Sequence, residues 1–232
     1  MKIRTLDSRL LSAARFVRQG AVFADIGTDH AHLPIFLLKQ KKISRAVLSD
    51  INRGPLDSAR DNVIEAGLLP LVDLRLTDGA RELSGLGITD VSICGMGGEL
   101  IARIIKDARW LFDADIRLIL QPMTRVAHLR RALAALGFKI EDESHSEADG
   151  KNYVTICAHF DGCVREIDDI EAEIGEEYID NDNKSAQILY FERKRTAFSK
   201  VIEEKRRAGI PAEREAEILS AIEKRLALIR SR

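Results

Sequence analysis

Short apolar segments alternate with segments of helical periodicity along the first 160 residues of the chain. Each apolar segment is rich in strand-forming residues, and apolar side chains then recur every three or four positions. The pattern predicts strands at 21–26, 45–50, 72–76, 90–94 and 116–121, and helices at 5–19, 33–41, 54–66, 99–106 and 125–136. Pro122 is expected to end the fifth strand. The Asp149-Gly150 pair predicts a closing hairpin of strands 138–145 and 152–160.

The order of these elements predicts an α/β fold. Alternating strands and helices form a parallel sheet with helices on both faces, and the closing hairpin adds an antiparallel strand. A seven-stranded mixed sheet of this kind resembles the Rossmann-like sheet of class I methyltransferases that use S-adenosylmethionine (SAM). A dinucleotide dehydrogenase is disfavoured, because Asp29 and Ala31 stand where the G-x-G-x-x-G fingerprint needs further glycines after Gly27.

Beyond Cys163 the pattern changes to an acidic segment followed by a basic one. Residues 161–182 carry one positive and ten negative charges, whereas residues 183–232 carry 13 positive and seven negative. Apolar spacing predicts helices at 184–208 and 211–229, joined at Gly209 into an antiparallel hairpin with a coiled-coil seam. We therefore expect a SAM-binding domain at 1–163, and an acidic linker with a helical coiled-coil domain at 164–232. The basic hairpin suits a polyanionic partner, although a mixed-charge helix surface is also an ordinary solvated face.

The composition is that of an ordinary globular protein, with 45% hydrophobic residues, 31% charged residues and a net charge of −1. No apolar run approaches the roughly 20 residues that span a bilayer. Residues 1–7 lack the apolar core of a signal peptide, so a cytoplasmic location is expected. Cys94, Cys157 and Cys163 show no CxxC spacing, so the sequence predicts neither a disulfide framework nor a metal site. We expect a monomer, with a dimer formed through the hairpin as the alternative.

Acidic residues end three of the predicted strands, namely Asp25, Asp50 and Asp78. In an open parallel sheet the carboxyl ends of the strands form the ligand crevice. Asp50 suits hydrogen bonds from ribose hydroxyls, and Asp78 with Gly79 suits an adenine edge. Gly27 lets the backbone approach the amino-acid part of a cofactor. Together they describe an adenosine-bearing cofactor without a phosphate; the alternative is plain turn chemistry, because Asp and Gly are common where strands end.

The turn after the fourth strand is rich in glycine. Gly95, Met96 and Gly97 precede Gly98 and the next helix. Small residues let a target group come close to the backbone, and the first amides of the following helix are available to an acceptor. The turn is therefore a second candidate for cofactor binding.

Asp29 and His30 occupy the turn nearest to the expected position of the methyl group. A carboxylate there can accept a hydrogen bond from an exocyclic amine and stabilise the positive charge that develops on an alkylated base. Asp29 can equally cap the helix that begins near Leu33. The sequence leaves these two roles of Asp29 open.

Several less common motifs follow one another along residues 1–160. They are Ala24-Asp-Ile-Gly-Thr-Asp-His-Ala-His-Leu-Pro34, Gly54-Pro55, Asp78-Gly79, Gly95-Met-Gly-Gly98, Leu120-Gln-Pro122 with Leu129-Arg130, and Asp149-Gly-Lys-x-Tyr153. Together they resemble the bacterial tRNA (adenine-22 N1)-methyltransferase family, TrmK. The resemblance implies methylation of N1 of an adenine in the D-arm of tRNA with SAM as cofactor. It also implies that the C-terminal coiled coil helps to hold the tRNA.

The resemblance implies site residues as well. The key acid of the family near the methyl group falls on Asp29. Thr28 stands where Ser is more usual and keeps the hydroxyl, whereas Met123 stands where the family often has Asn, which weakens any role for a polar side chain there. The cofactor positions of the family fall on Gly27, Asp50, Asp78, Gly79 and the turn at 95–98.

The implied chemistry is consistent with the residues. N1 of adenine carries a free lone pair at neutral pH, so no strong general base is required. The base must be swung out of the tRNA at a cost of about a few kcal/mol. We expect Tyr153 and His30 to flank the extruded base and the basic tail to meet phosphates.

Two other functions remain open on the sequence. The chain is then either a SAM-dependent methyltransferase acting on another RNA, a protein or a small molecule, or a non-catalytic RNA-binding module. Asp50 and Asp78 argue against the second, because a vestigial site needs no acceptors for ribose and adenine.

Overall fold

The computed structural model describes residues 6–180 and 182–231. The start of the first predicted helix, Thr5, lies outside these residues, and the described helix begins at Ser8. The helices are α1 Ser8–Phe16, α2 His32–Lys39, α3 Arg53–Glu65, α4 Gly98–Asp107, α5 Val126–Ala135, α6 Asp169–Ile174, α7 Lys184–Arg207 and α8 Glu213–Ser231. The strands are β1 Ala21–Ile26, β2 Ile43–Asp50, β3 Val72–Leu76, β4 Asp90–Gly97, β5 Arg117–Thr124, β6 Phe138–Ala148 and β7 Lys151–Phe160.

The described strands form one mixed sheet in the order β3-β2-β1-β4-β5-β7-β6. Strands β1 to β5 are parallel, whereas β7 runs antiparallel to both β5 and β6. The chain adds strands outward from β1 in one direction and then restarts at β4 on the other side. This reversal places a topological switch point between β1 and β4, where ligands bind in open α/β sheets. The predicted α/β fold with a seven-stranded mixed sheet is confirmed.

Each strand sends alternate side chains to two separate cores. Phe23 packs on one face with α1, α2 and α3, whereas its neighbour Ala24 packs on the other face with α4 and α5. Leu118 and Ile119 divide in the same way along β5. Because both faces of the central strands are buried, these strands are mostly apolar, which is why the sequence shows them as short continuous runs.

Strand β5 continues through Pro122 to Thr124, so the prediction that Pro122 ends the strand was wrong. The reason lies in the neighbouring strand, whose register with β5 shifts on both sides of the Met96–Pro122 pair. A proline has no N–H to donate, and an irregular stretch of the ladder tolerates that loss. The same irregularity extends β4 past Cys94 into the glycine turn at 95–98.

The acidic segment contains a short helix, α6, that the sequence did not predict. Asp168 caps it by accepting a hydrogen bond from the Glu171 amide at 2.7 Å. Helices α7 and α8 form the predicted antiparallel hairpin, since ion pairs join the end of each helix to the first half of the other, Lys205 to Glu215 and Arg230 to Glu192. No helix in the described part of the chain is long and apolar enough to cross a membrane.

The C-terminal helices share their core with the sheet. Tyr190 and Phe191 of α7 and Ile222 and Ile229 of α8 are buried in the same cluster as Leu118 of β5. The predicted domain boundary at residue 163 stays a prediction. Removal of the helical hairpin would expose part of this core, so charge substitutions are a cleaner test of its role than deletion.

A buried histidine makes the stability of this junction depend on pH. His145 of β6 is 3% exposed, and burial lowers its pKa to about 4. The charged groups facing it are Glu143, Arg130, Asp180 and Arg225. Because the unfolded chain binds the proton more readily, stability is complete above about pH 6.5 and is lost as the pH falls towards 4, by up to ~3 kcal/mol.

We therefore expect His145→Gln to flatten the loss of unfolding free energy between pH 6.5 and pH 4. Urea unfolding at a series of pH values measures this slope. His128→Gln changes an exposed histidine on α5 and serves as the control. An unchanged slope in the His145 variant would contradict the assignment.

Candidate cofactor and acceptor site

A cavity of about 290 Å³ lies at the carboxyl ends of β1 to β4, at the switch point of the sheet. Its position follows from topology, because parallel strands bring their carboxyl ends to one edge. The structure brings five of the predicted cofactor residues together in its lining, Gly27, Asp50, Asp78, Gly79 and Met96. The other lining residues are Ile26, Ser49, Ile51, Asn52, Thr77, Leu100, Arg103 and Ile104.

The polar groups of this cavity fit a nucleoside. Asp50 Oδ1 accepts a hydrogen bond from the backbone N–H of Asn52 at 2.7 Å, which fixes the carboxylate at the end of β2. The buried hydroxyls of Ser49 and Thr77 have no hydrogen-bond partner among the described residues, although both residues line the cavity. Buried polar groups are rarely left unpaired, so a polar ligand is expected here. The exposed Asp78 supplies a further acceptor on the β3 side.

Gly27 shapes the floor of the cavity. Its φ angle is +75°, a region that side chains disfavour, and its amide donates to the Ser49 carbonyl at 2.7 Å. A Cβ added at Gly27 would lie 2.0 Å from Met96 Cε. The space above residue 27 is therefore shared between the Met96 side chain and any ligand.

Asp25 is placed differently from the other predicted cofactor residues. It is 9% exposed, and its Oδ1 accepts a hydrogen bond from the Ser92 hydroxyl at 2.6 Å. Burial raises the pKa of this carboxyl above its usual range. Asp25 is not among the residues that line the cavity, because this hydrogen bond holds the Asp25 side chain against the neighbouring strand β4. Its predicted contact with a cofactor stays a prediction.

The turn at 95–98 is held from two sides. The Gly95 amide donates to Gln121 Oε1 at 3.2 Å, which ties the turn to β5. A Cβ at Gly98 would lie 2.5 Å from the Arg125 carbonyl oxygen, so only glycine allows this close approach. Met96 lines the cavity, whereas Gly95 and Gly97 do not.

Asp29 and His30 lie in the exposed loop between β1 and α2. Their side chains are 71% and 48% exposed, and Asp29 Oδ2 lies 3.5 Å from His30 Nε2. Helix α2 has Ala31 as its N-cap residue with no side-chain capping bond, so the alternative that Asp29 caps this helix was wrong. The Asn62 amide group donates to the His30 carbonyl at 3.0 Å and fixes the loop to α3.

Tyr153 lies at the same edge of the sheet, near the start of β7. It is 8% exposed, and the guanidinium of Arg9 lies over its ring at 5.7 Å from the centroid. No hydrogen bond, ion pair or ring contact joins Tyr153 to Asp29 or His30 within the described ranges 6–180 and 182–231. The expectation that Tyr153 and His30 flank one base stays a prediction.

Two residues at this edge were missed by sequence reasoning, Arg9 and Gln121. Arg9 Nη1 donates to Gln121 Oε1 at 3.3 Å, so this side-chain oxygen accepts hydrogen bonds from both Arg9 and the backbone amide of Gly95. No sequence signal distinguishes Arg9 from the other polar residues of an amphipathic helix. Among the residues that the structure describes, no group of three or more His, Cys, Asp or Glu side chains is arranged to hold a metal ion.

The chain is similar in sequence and fold to known methyltransferases. A family model described as a methyltransferase domain matches residues 6–156. The tRNA (adenine(22)-N(1))-methyltransferase of Bacillus subtilis (strain 168) is 37% identical over 153 residues, which cover 66% of this chain and 64% of that protein. The chain therefore spans somewhat less than two thirds of this curated relative in the aligned region.

Two solved structures extend the similarity over nearly the whole chain. A putative tRNA (m1A22) methyltransferase of Streptococcus pneumoniae in complex with SAM is 30% identical, with a TM-score of 0.80, covering 96% of this chain and 100% of that chain. The M. capricolum TrmK in complex with S-adenosyl-homocysteine is 28% identical, with a TM-score of 0.78, covering 97% of this chain and 99% of that chain. The chain described above therefore belongs to the methyltransferase family, and within it to the tRNA (adenine-22 N1)-methyltransferases.

Proposed function

We propose that this protein transfers a methyl group from SAM to N1 of adenine 22 in the D-arm of tRNA. The observation that carries the proposal is the cavity at the switch point, which gathers Gly27, Asp50 and Asp78 in a chain whose relatives are tRNA (adenine-22 N1)-methyltransferases. The tRNA is the partner that this activity requires. We also propose that the protein is a monomer and acts in the cytoplasm. Light scattering of the purified protein tests the oligomeric state.

Each cavity residue has a distinct role towards the cofactor. SAM, when bound, supplies an electrophilic methyl group on a positively charged sulfur. Asp50 accepts hydrogen bonds from the ribose hydroxyls, and the unpaired Ser49 and Thr77 hydroxyls lie close enough to the cavity to add further polar contacts. Asp78 accepts from the adenine amino group, and Gly27 leaves room for the amino-acid part.

Asp29 acts on the adenine that accepts the methyl group. The attacking atom, adenine N1, needs no deprotonation at neutral pH, so the protein mainly has to position it. As N1 is alkylated, the ring becomes positively charged. The exposed Asp29 carboxylate accepts a hydrogen bond from the exocyclic amine and stabilises that charge.

The tRNA must present an extruded base at the carboxyl edge of the sheet. His30 supplies an exposed ring at this edge for stacking, whereas stacking on Tyr153, which is 8% exposed, requires the Arg9 guanidinium to move off its ring. Helices α7 and α8 carry exposed cations, among them Arg193, Lys200 and Lys224, for the phosphate backbone. These contacts predict tRNA binding that weakens steeply with salt.

Methyl transfer to tRNA is tested directly with SAM labelled in the methyl group. The protein is incubated with labelled SAM and total bacterial tRNA, and the digested nucleosides are identified by mass spectrometry. The proposal predicts label in 1-methyladenosine. Label in another nucleoside, in protein or in a small molecule supports the other methyltransferase functions, and SAM binding or tRNA binding without any transfer supports a non-catalytic module.

Substitution of Gly27 tests the cofactor cavity. We expect Gly27→Ala to weaken SAM binding by at least about tenfold, because the new methyl group adds backbone strain at positive φ and forces Met96 into the cavity. Isothermal titration calorimetry measures the affinity. Gly20→Ala is the matched control, since Gly20 has a φ of +80° but open space around its Cβ position. Equal SAM affinity of both variants and the wild type would contradict the cavity assignment.

A further inference from the structure

Arg9 on α1 lies at the open edge of the sheet, beside the cofactor cavity. Its Nη1 lies 3.3 Å from Gln121 Oε1 and 3.7 Å from Met123 Sδ, and its guanidinium covers the Tyr153 ring. The same Nη1 lies 3.5 Å from the point where a Cβ atom added at Gly95 would be. Arg9 therefore contacts the carboxyl ends of β4 and β5 and the start of β7 with one side chain.

The position of Arg9 is fixed by its own helix. Asp7 caps α1 by accepting from the Leu10 amide at 2.8 Å, and its other oxygen pairs with Arg9 Nη2 at 3.2 Å. The Ser8 hydroxyl donates to the Glu147 carbonyl at the end of β6. The start of α1 is thus tied to the β6–β7 hairpin, and Arg9 cannot leave this edge without breaking these contacts.

The glycine turn separates Arg9 from the cofactor cavity. Met96 lines the cavity, whereas the preceding Gly95 faces Arg9. Gln121 is fully buried and binds both Arg9 and the Gly95 amide. Methyl transfer is an in-line displacement, so the acceptor approaches the methyl group from the side opposite the sulfur. Arg9 is a cation on the side of the turn that faces away from the cavity.

The chemistry of methylation decides what Arg9 can bind. A guanidinium against the adenine ring would oppose the positive charge that develops on N1. A phosphate is the complementary partner, because the planar guanidinium donates to its oxygens in a fixed fork. Arg9 is 23% exposed and its ion pair with Asp7 is partly exposed, so a phosphate can replace Asp7 at little cost.

We propose that Arg9 binds a phosphate of the tRNA backbone next to the extruded nucleotide, and so positions the acceptor over the turn at 95–98. The proposal rests on the tRNA methyltransferase function proposed above. Arg9 is a positioning residue for the substrate, and its effect is expected in tRNA binding and in its salt dependence, with SAM binding unaffected.

The test compares Arg9→Gln and Arg9→Lys with the wild type in the full-length protein. Affinity for an unmodified tRNA transcript is measured across a series of KCl concentrations, and SAM affinity is measured by calorimetry. We expect Arg9→Gln to weaken tRNA binding about fivefold and to make the slope of log affinity against log salt less negative by about one. Arg9→Lys retains the slope because it keeps the charge. Both variants bind SAM within about twofold of the wild type.

Arg165→Gln is the matched control. Arg165 also pairs with an aspartate, Asp161, but it lies just beyond the end of β7 at the opposite edge of the sheet. The proposal is overturned if Arg9→Gln keeps the wild-type slope, if Arg165→Gln changes the slope equally, or if SAM affinity falls together with tRNA affinity. A wild-type protein that does not bind tRNA at all overturns the proposed function itself.

Discussion

Arg130→Met should lower the free energy of unfolding by about 3–5 kcal/mol, the largest stability effect expected in this protein. Arg130 is 1% exposed and binds Glu143 with two hydrogen bonds of 2.7 Å each. Its Nη1 also donates to the carbonyls of Ala172 and Glu173 in α6. Removal of the guanidinium leaves the Glu143 charge buried at 3% exposure without compensation. Urea unfolding measures the loss.

Two variants control this measurement. Arg131→Met breaks the neighbouring pair with Asp169, in which both side chains are 38% exposed, and should cost less than about 1 kcal/mol. The double variant Arg130→Met/Glu143→Leu should recover part of the loss, because no unpaired charge then remains buried. Similar losses for Arg130→Met and Arg131→Met would contradict the cost assigned to leaving the Glu143 charge buried and unpaired.

Asp29→Asn should lower kcat for tRNA about 100-fold while SAM affinity stays within about twofold of the wild type. Asparagine keeps the size of the side chain and one acceptor oxygen but removes the charge. Because Asp29 is exposed and makes no capping bond to α2, its loss leaves the fold intact. The reduced kcat therefore reports the stabilisation of the positively charged product ring. Single-turnover methylation and calorimetry measure the two quantities.

Asp61→Asn is the matched control for Asp29, since it removes an exposed carboxylate from the adjacent helix α3, next to the Asn62 that binds the loop. It should leave kcat unchanged. Full turnover of Asp29→Asn would assign Asp29 to the loop structure alone, and an equal loss in both variants would point to a general effect of surface charge.

Most of the sheet could be predicted from the sequence, because strands buried on both faces leave continuous apolar runs such as 21–26. Other elements depend on tertiary contacts that no local pattern records. Pro122 stays within β5 because the ladder with β4 is irregular beside it. Helix α6 forms in a highly acidic segment because Asp168 caps it and the buried Arg130 binds its carbonyls.

The candidate site, too, could be predicted from the sequence only in part. Gly27, Asp50 and Asp78 are separated in sequence but meet in the cavity, because a parallel sheet collects its strand ends at one edge. Asp25 also ends a strand, yet a hydrogen bond from Ser92 holds it inside the sheet. Arg9 reaches the edge only through the docking of α1, which the amphipathic pattern of that helix does not specify.

The position of the methyl group on tRNA tests the central claim most directly. Two transcripts of one tRNA are compared, one with adenine and one with guanine at position 22, after incubation with the protein and SAM. A methyl group on N1 blocks Watson–Crick pairing, so reverse transcriptase stops beside it. The account predicts a SAM-dependent stop at the nucleotide on the 3′ side of position 22 in the adenine transcript and none in the guanine transcript. A stop elsewhere, or methylation that persists in the guanine transcript, would contradict it.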